Sequence, residues 1–165
     1  MIAPQKFLTD EMVARIEALA PRYPNRRALT LPALHIVNAA LHHVPLGAVA
    51  EIAALLGLAP AEVQDTLTFY QFFHQEKPHG EVRAFVCRSL SCALRGGDQL
   101  LEQLCQAHGI EPYGTTADGR LTIEPAECLG ACDFAPCILA NDDLLRNMTP
   151  EAAAAELGKP RARAT

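Results

Sequence analysis

The sequence has no cysteine before Cys87, no stretch that could span a membrane and no first segment that reads as a secretory signal. Its first residues do not place a basic segment ahead of an apolar one, as a secretory signal would. No run approaches the ~18 apolar residues that a membrane span needs. We therefore expect a soluble, intracellular protein without direct membrane contact. In a reducing compartment, its six cysteines are expected to be metal ligands or core residues rather than disulfides.

Motifs for nucleotide or nucleic-acid binding are also missing. The sequence contains no P-loop, no G-x-G-x-x-G and no nucleophile elbow, so we expect no nucleotide site and no two-electron chemistry on this chain. Residues 51–67 resemble a DNA-binding helix-turn-helix. However, residues 44–70 hold three acidic residues and no Lys or Arg that could meet phosphates. With a net charge of −5, we interpret this stretch as two packed helices and expect no nucleic-acid partner.

The first 80 residues carry one helix signal after another. Thr9 is a suitable N-cap, and Pro32, Pro45 and Pro60 suit the first turns of three further helices. Gly57 is a suitable end for the third helix. Four helices with short connections predict a helical bundle over residues 1–80.

Residues 81–158 show a different pattern. The sequence predicts a strand at 81–86, a helix at 98–108, a hairpin at Asp118-Gly119, a strand from Leu121, two short strands around a turn at 141–143, and a last helix after Thr149. This order predicts a compact unit with helices and strands, so the whole chain falls in the α+β class. The boundary is expected at residues 77–80, and residues 159–165 are expected to form a flexible tail.

Four cysteines form two closely spaced pairs, Cys87-x4-Cys92 and Cys128-x3-Cys132. Each pair follows a predicted strand and is expected in a loop, so that two loops could meet at one end of a sheet. Four thiolates are what an all-cysteine [2Fe–2S] cluster requires. Structural zinc sites usually use C-x2-C pairs, so the wider spacing favours the two-iron centre, with a zinc-stabilised interaction module as the alternative.

The residues between these cysteines suit a negatively charged cluster. Gly130 is expected to permit close backbone approach. The small residues Ser89, Ser91 and Ala131 leave backbone N–H groups free to point at the sulfurs. Arg88 would lie close to the cluster and help to set its potential.

The other two cysteines are assigned no ligand role. Cys105 lies on the apolar side of a predicted helix, where a buried small side chain is expected. Cys137 is interpreted as a strand residue beside the cluster, and a fifth or alternative ligand is the other interpretation. Thiol–disulfide exchange uses C-x-x-C at a helix start, and the sequence contains no such pair.

The two cysteine pairs and their surroundings resemble the thioredoxin-like [2Fe–2S] subunits of respiratory complex I, known in bacteria as the E subunits of NADH–quinone oxidoreductase. The resemblance covers residues 28–157. The two cysteine pairs with their surroundings are specific to this family, whereas the helical part alone would not be. The segments that carry it are Val86-Cys87-x4-Cys92, Leu94-Arg95-Gly96-Gly97, Glu127-Cys128-Leu129-Gly130-Ala131-Cys132 and Ala135-Pro136, with residues 50–53, 55–58, 60–63 and 68–70 upstream. The sequence departs from the family at Cys137, where an aliphatic residue is expected, and at Asp133-Phe134.

The resemblance implies a helical bundle followed by a thioredoxin-like ferredoxin domain that carries one [2Fe–2S] cluster on Cys87, Cys92, Cys128 and Cys132. It further implies an electron-transfer subunit that docks on a flavoprotein holding FMN and binding NADH, together with further iron–sulfur subunits. The expected location is cytoplasmic, peripheral on the inner face of the membrane through the complex. NAD-reducing hydrogenases and NAD-dependent formate dehydrogenases use the same module and are the alternative parent complexes.

Four aromatic residues lie within five positions at the end of the fourth predicted helix, which is expected to include Tyr70. Phe69, Tyr70, Phe72 and Phe73 are too many for one helix face to bury. We expect two of them in the core and the others in an interface with the flavoprotein.

Overall fold

The computed structural model describes residues 6–159, and the chain divides into two compact units between Pro78 and His79. This division lies within the turn cluster expected at residues 77–80. Apart from Lys159, the tail expected at residues 159–165 lies outside the described residues. None of the described helices combines the length and the apolar composition that crossing a membrane requires.

The first unit is helical, as the sequence predicts. The Thr9 side chain caps the first helix by accepting a hydrogen bond from the Met12 N–H at 3.2 Å. Gly57 ends the third helix in the left-handed conformation, with a φ of 68°. The helices are α1 (Asp10–Leu19), α2 (Thr30–Leu41), α3 (Leu46–Leu56) and α4 (Pro60–Phe69), with 3₁₀ turns at Ala20–Arg22 and Arg26–Leu29.

The core of this unit forms where α2 packs against the other three helices. Ile16, Leu34, Ile52 and Val63 represent the four helices in this core and are completely buried. Because α3 and α4 pack together, the interpretation of residues 51–67 as packed helices is confirmed.

The aromatic segment departs from its prediction. Helix α4 ends at Phe69, and Tyr70 is the residue after it rather than a helical residue. The chain then turns, with the Phe73 N–H donating to the Tyr70 carbonyl at 3.2 Å. Only Phe73 is buried, whereas Phe69 is 80% exposed and Tyr70 and Phe72 are about half as exposed. One aromatic ring therefore joins the core, not the two expected, because the helix ends too early to align the others with its apolar face.

The second unit contains a five-stranded mixed sheet in the order β2-β3-β1-β4-β5. Strands β1 and β3 are parallel, and the other neighbours are antiparallel. The strands are β1 (Val82–Cys87), β2 (Gly114–Thr115), β3 (Leu121–Ala126), β4 (Ile138–Ala140) and β5 (Asp143–Leu145), and the helices are α5 (Leu90–Leu94), α6 (Gly97–His108) and α7 (Pro150–Leu157). This mixture of helices and a mixed sheet is the α+β class that the sequence predicts.

Most predicted elements of this unit are present. Gly119 has a φ of 72° in the turn between β2 and β3, and Gly109 ends α6. The turn expected at 141–143 is shorter, since Asp143 already belongs to β5. Two short elements, α5 and β2, were not predicted, because five and two residues are too few to show a hydrophobic period.

The two faces of the sheet differ in polarity. On one face, Ala84 and Ile123 pack with Leu100 of α6 in a continuous apolar core. On the other face, neighbouring positions of β1 and β3 hold the buried charged residues Arg83 and Glu124. Since β1 and β3 are parallel, both strands deliver the chain to the same edge of the sheet.

Candidate metal centre

The end of strands β1 and β3 brings the first cysteine of each pair to one edge. Cys87 is the last residue of β1 and is paired with Ala126, the last residue of β3. The Arg88 N–H continues this ladder by donating to the Ala126 carbonyl at 2.9 Å. Cys128 follows two residues later. The meeting of the two cysteine segments at one edge of the sheet is therefore as predicted.

Cys92 does not lie in a loop, which corrects the expectation for the first pair. It belongs to the short helix α5 and is 3% exposed. The helix starts at Leu90, three residues after Cys87, because Ser89 has the extended conformation of an N-cap, and the Ser89 carbonyl accepts the Ala93 N–H at 2.9 Å. This turn folds Cys92 back toward Cys87, and the two side chains lie in one small buried cluster.

The second pair is exposed. The sulfurs of Cys128 and Cys132 lie 3.6 Å apart, and Cys132 opens a 3₁₀ turn at Cys132–Phe134. Gly130 has a φ of 74° between them, and its N–H donates to the Cys128 Sγ at 3.4 Å. A Cβ on Gly130 would meet no protein atom within 4 Å, so within the chain itself the left-handed conformation is the reason for a glycine. Its close approach to a cluster stays a prediction.

The thiol pKa values indicate how near the two pairs are. Burial raises the pKa of Cys92 to about 11, and the neighbouring Cys87 thiol contributes to the rise. The hydrogen bond to Cys128 raises the pKa of Cys132, the Ser91 hydroxyl lowers it by donating a hydrogen bond, and Cys87 adds a smaller upward effect. Groups of the first segment, Cys87 and Ser91, thus influence the pKa of Cys132 in the second. The expected backbone N–H groups of Ser89, Ser91 and Ala131 toward the sulfurs stay a prediction.

The beginning of α6 also belongs to the site, which sequence reasoning did not identify. A Cβ on Gly97 would lie 2.8 Å from the Cys87 carbonyl oxygen and 2.9 Å from the Cys92 carbonyl. The absence of a side chain therefore lets the N-terminus of α6 lie directly against both cysteines. The positive end of the helix dipole stabilises negative charge there. The Gly96-Gly97 dipeptide is the sequence feature that could have indicated this close contact.

Arg88 is close to the cysteines, but its charge is not free. Its Nη2 and Nε lie 3.2 and 3.3 Å from the Glu127 Oε1, so an exposed ion pair joins the residue after Cys87 to the residue before Cys128. The field of the guanidinium at the cysteines is reduced accordingly.

Cys105 occupies the environment that the sequence predicts, whereas the prediction for Cys137 as a strand residue is wrong. Cys105 is 5% exposed on α6, within the apolar core. Cys137 is 1% exposed and packs beside Cys87 and Cys92. It lies one residue before β4 rather than within a strand.

The positions of the sulfurs indicate which metal groups the cysteines could hold. Within residues 6–159, no three His, Cys, Asp or Glu side chains are grouped so that they could hold one metal ion. The sulfurs lie instead in two pairs. Two sulfurs bound at ~2.3 Å to one tetrahedral ion are roughly 3.8 Å apart, close to the 3.6 Å between Cys128 and Cys132. The Cys128 and Cys132 sulfurs therefore fit two thiolates on one metal ion, and four cysteines in two pairs fit an all-cysteine two-iron group.

Similarity to known proteins agrees with this chemistry. The chain is 40% identical to the NADH-quinone oxidoreductase E subunit designated 2 in Rhizobium meliloti, over 83% of its own length and 81% of that protein. It is 36% identical to the NADH-quinone oxidoreductase E subunit of Mycobacterium bovis over 92% of its own length, and it spans 61% of that longer protein. A structure of NAD+-reducing [NiFe]-hydrogenase matches 78% of this chain and 21% of the hydrogenase chain, with a TM-score of 0.66 and 29% identity.

The family model for thioredoxin-like [2Fe-2S] ferredoxins matches residues 16–159, which include both units and all six cysteines. Because the match extends over most of the sequence and relatives of similar length share more than a third of their residues with it, the chain belongs to the thioredoxin-like [2Fe–2S] ferredoxin family.

Proposed function

We propose that this chain is an electron-transfer subunit of NADH–quinone oxidoreductase and carries one [2Fe–2S] cluster on Cys87, Cys92, Cys128 and Cys132. The observation that carries the proposal is the meeting of two cysteine pairs at one sheet edge, with the Cys128 and Cys132 sulfurs at the separation expected for one iron. The similarity to the E subunits of that enzyme supports the choice of parent complex. In that complex the chain would be a peripheral protein on the cytoplasmic side of the membrane.

The two pairs have different tasks in this proposal. Cys87 and Cys92 hold one iron from inside the domain, and Cys128 and Cys132 hold the other at the surface, in keeping with their burial. When bound, such a cluster accepts and releases one electron at a time. The exposed pair therefore provides the side on which an electron enters or leaves.

Two groups around the site stabilise the added negative charge of the reduced state. The N-terminus of α6 lies against Cys87 and Cys92 at Gly97. The Gly130 N–H points at the Cys128 sulfur. Hydrogen bonds to ligand sulfurs and nearby dipoles favour the more negative state, so each raises the reduction potential.

A one-electron carrier needs a partner that can split the electron pair of NADH. NADH releases two electrons as a hydride, and a flavin can accept both and release them singly. Since the sequence has no nucleotide-binding motif, we place FMN and NADH on a partner flavoprotein, with further iron–sulfur subunits beside it. The exposed rings of Phe69, Tyr70 and Phe72 offer an apolar docking surface in the helical unit.

An equivalent subunit of a NAD-reducing hydrogenase, or of a NAD-dependent formate dehydrogenase, is the second candidate. The similarity to the NAD+-reducing [NiFe]-hydrogenase structure favours it. Native complex purified through this chain distinguishes these functions. NADH-dependent quinone reduction supports the first proposal, and reduction of NAD+ by hydrogen or formate supports the second.

Metal and sulfide analysis tests the cluster itself. Anaerobically purified protein is expected to contain about two irons and two acid-labile sulfides per chain. Replacement of any one of Cys87, Cys92, Cys128 and Cys132 by Ala is expected to remove the cluster, whereas Cys105→Ala is the matched control and should retain it. One zinc per chain without visible charge-transfer absorption would instead support a zinc-stabilised module.

A further inference from the structure

Resting on the proposed cluster site, we propose that Glu127 is a positioning residue that couples the two cysteine segments. Its carboxylate holds Arg88 of the first segment beside the start of the second segment. This contact slows the loss of the cluster, and the carboxylate keeps the Arg88 charge from raising the reduction potential. Glu127 is thus more than a solvated charge on the surface of the protein.

The ion pair of Arg88 and Glu127 lies where the two cysteine segments leave the sheet. The parallel register of β1 and β3 ends at Cys87 and Ala126, and the Arg88 N–H adds one further bond to the Ala126 carbonyl at 2.9 Å. Arg88 directly follows Cys87, and Glu127 directly precedes Cys128. The ion pair therefore connects the two segments beyond the last paired residues of the strands, next to the first cysteine of each pair.

Both oxygens of the Glu127 carboxylate face the first segment. The Oε1 accepts from the Arg88 Nη2 at 3.2 Å and from the Arg88 Nε at 3.3 Å. The Oε2 lies 3.5 Å from the Ser89 Oγ. Ser89 is the N-cap of α5, but its side chain makes no capping hydrogen bond to that helix. The carboxylate thus contacts both residues that connect Cys87 to the helix carrying Cys92.

The exposure of the pair decides where its effect can be measured. The side chains of Arg88 and Glu127 are 56% and 78% exposed, and an exposed ion pair contributes little to the stability of a whole domain. The two irons of the proposed cluster, however, are held by different cysteine pairs on different segments. A small change in the coupling between these segments therefore acts on the retention of the cluster rather than on the unfolding of the domain.

The two charges act on the reduction potential in opposite directions. A positive charge near an iron–sulfur cluster favours its reduced state, and a negative charge favours its oxidised state. Arg88 and Glu127 each lie next to a proposed ligand in the sequence. Glu127 therefore offsets the effect of Arg88 on the potential, whereas a contact with a purely structural role would have no such sign.

The test uses the full chain loaded with its cluster. The five forms are the natural protein, Glu127→Gln, Arg88→Gln, the charge-swapped double variant Arg88→Glu with Glu127→Arg, and Glu17→Gln. Glu17→Gln breaks another exposed ion pair, with Arg26 in the helical unit, and is the matched control. For each form, the iron content, the rate at which the neutral chelator bipyridyl removes iron from the reduced protein, and the midpoint potential are measured.

We expect both single Gln variants at the site to lose iron about two to five times as fast as the natural protein, which is the size of effect that an exposed ion pair supports. The midpoint potential should rise in Glu127→Gln and fall in Arg88→Gln. The charge-swapped variant should recover most of the slow iron loss. Glu17→Gln should match the natural protein in both measurements.

Ionic strength provides a measurement that needs no variant. Salt screens the attraction between exposed charges, so high salt should speed the loss of iron from the natural protein. Because bipyridyl is neutral, salt does not change its attraction to the protein. This measurement decides the question if a variant cannot be loaded with iron.

Four results would overturn the inference. The first two are iron loss at the natural rate in both Gln variants and iron loss from the natural protein that does not depend on salt. The third is a charge swap that loses iron as fast as the single variants, and the fourth is a shift of the potential in the same direction in both Gln variants. A natural protein that binds no iron would instead refute the proposed function, together with the inference that rests on it.

Discussion

Arg83 and Glu124 form a bidentate ion pair between the parallel strands β1 and β3, with Nε–Oε1 and Nη2–Oε2 distances of 2.6 and 2.9 Å. Their side chains are 3% and 2% exposed. Arg83 lies four residues before Cys87, and Glu124 lies four residues before Cys128. The pair therefore ties together the two strands that lead into the cysteine segments, and it favours the register that brings those segments to one edge.

Removal of one member of this pair is expected to destabilise the protein strongly. Glu124→Leu leaves the Arg83 guanidinium buried without its carboxylate, at a cost of about 3–5 kcal/mol in the free energy of unfolding. The double variant Arg83→Met with Glu124→Leu removes both charges and should cost less than Glu124→Leu alone. Urea-induced unfolding measures both. A double variant that is as unstable as the single one would show that the buried charge is not the cause.

The contact of Gly97 with the cysteine segments predicts that a methyl group there is not tolerated. In Gly97→Ala, the new Cβ meets backbone atoms of Cys87 and Cys92 at less than 3.0 Å, so either α6 or the cysteines must move. We expect loss of most of the iron. Iron content and thermal unfolding of the purified variant are the measurements.

Gly109→Ala at the other end of α6 is the control. Gly109 has a φ of 64°, and a Cβ there would meet nothing within 4 Å. Alanine then lowers the free energy of unfolding only by the strain of the left-handed conformation, about 1–2 kcal/mol. The iron content should stay at the level of the natural protein. Equal iron content in the two variants would contradict a special role for Gly97.

Burial of Cys105 predicts a dependence of stability on pH. Burial raises the pKa of this thiol above its usual 9.0, and Glu111 adds to the rise. The folded state thus favours the neutral thiol, so its contribution to stability is present below about pH 9 and falls as the pH rises above that value. Cys105→Ala should cost ~1–2 kcal/mol at neutral pH, and less at about pH 10. A cost that does not change with pH would mean that the thiol titrates alike in the folded and unfolded states.

The aromatic residues at the end of α4 predict separate effects on assembly and on stability. Phe69 is 80% exposed, so Phe69→Ala should leave thermal unfolding of the isolated chain unchanged. If its ring docks on the flavoprotein, truncation can weaken assembly by ~2 kcal/mol. Phe73 is buried, so Phe73→Ala should lower stability by ~3–5 kcal/mol. Co-purification of each variant with the flavoprotein measures assembly, and an unaltered yield with Phe69→Ala and with the Tyr70 and Phe72 variants would remove this surface from the interface.

The sequence alone determined the longer helices, the main strands and the cysteine segments at one sheet edge. Local chemistry specifies these features: Thr9 satisfies a free N–H at the start of α1, Gly57 and Gly109 adopt left-handed conformations that end helices, and parallel strands deliver their ends to the same edge. The spacing of the cysteines restricts which metal group they can hold.

The tertiary structure alone decided which side chains around the site are buried and what they contact. Cys92 turns inward on α5, and Gly97 lies against both cysteines of the buried pair. Residues 87 and 137 are fifty positions apart, yet their backbones are hydrogen-bonded. Such contacts depend on how distant segments pack against each other. The hydrophobic pattern of one segment predicts its own helix or strand, but it does not indicate which distant segment packs beside it.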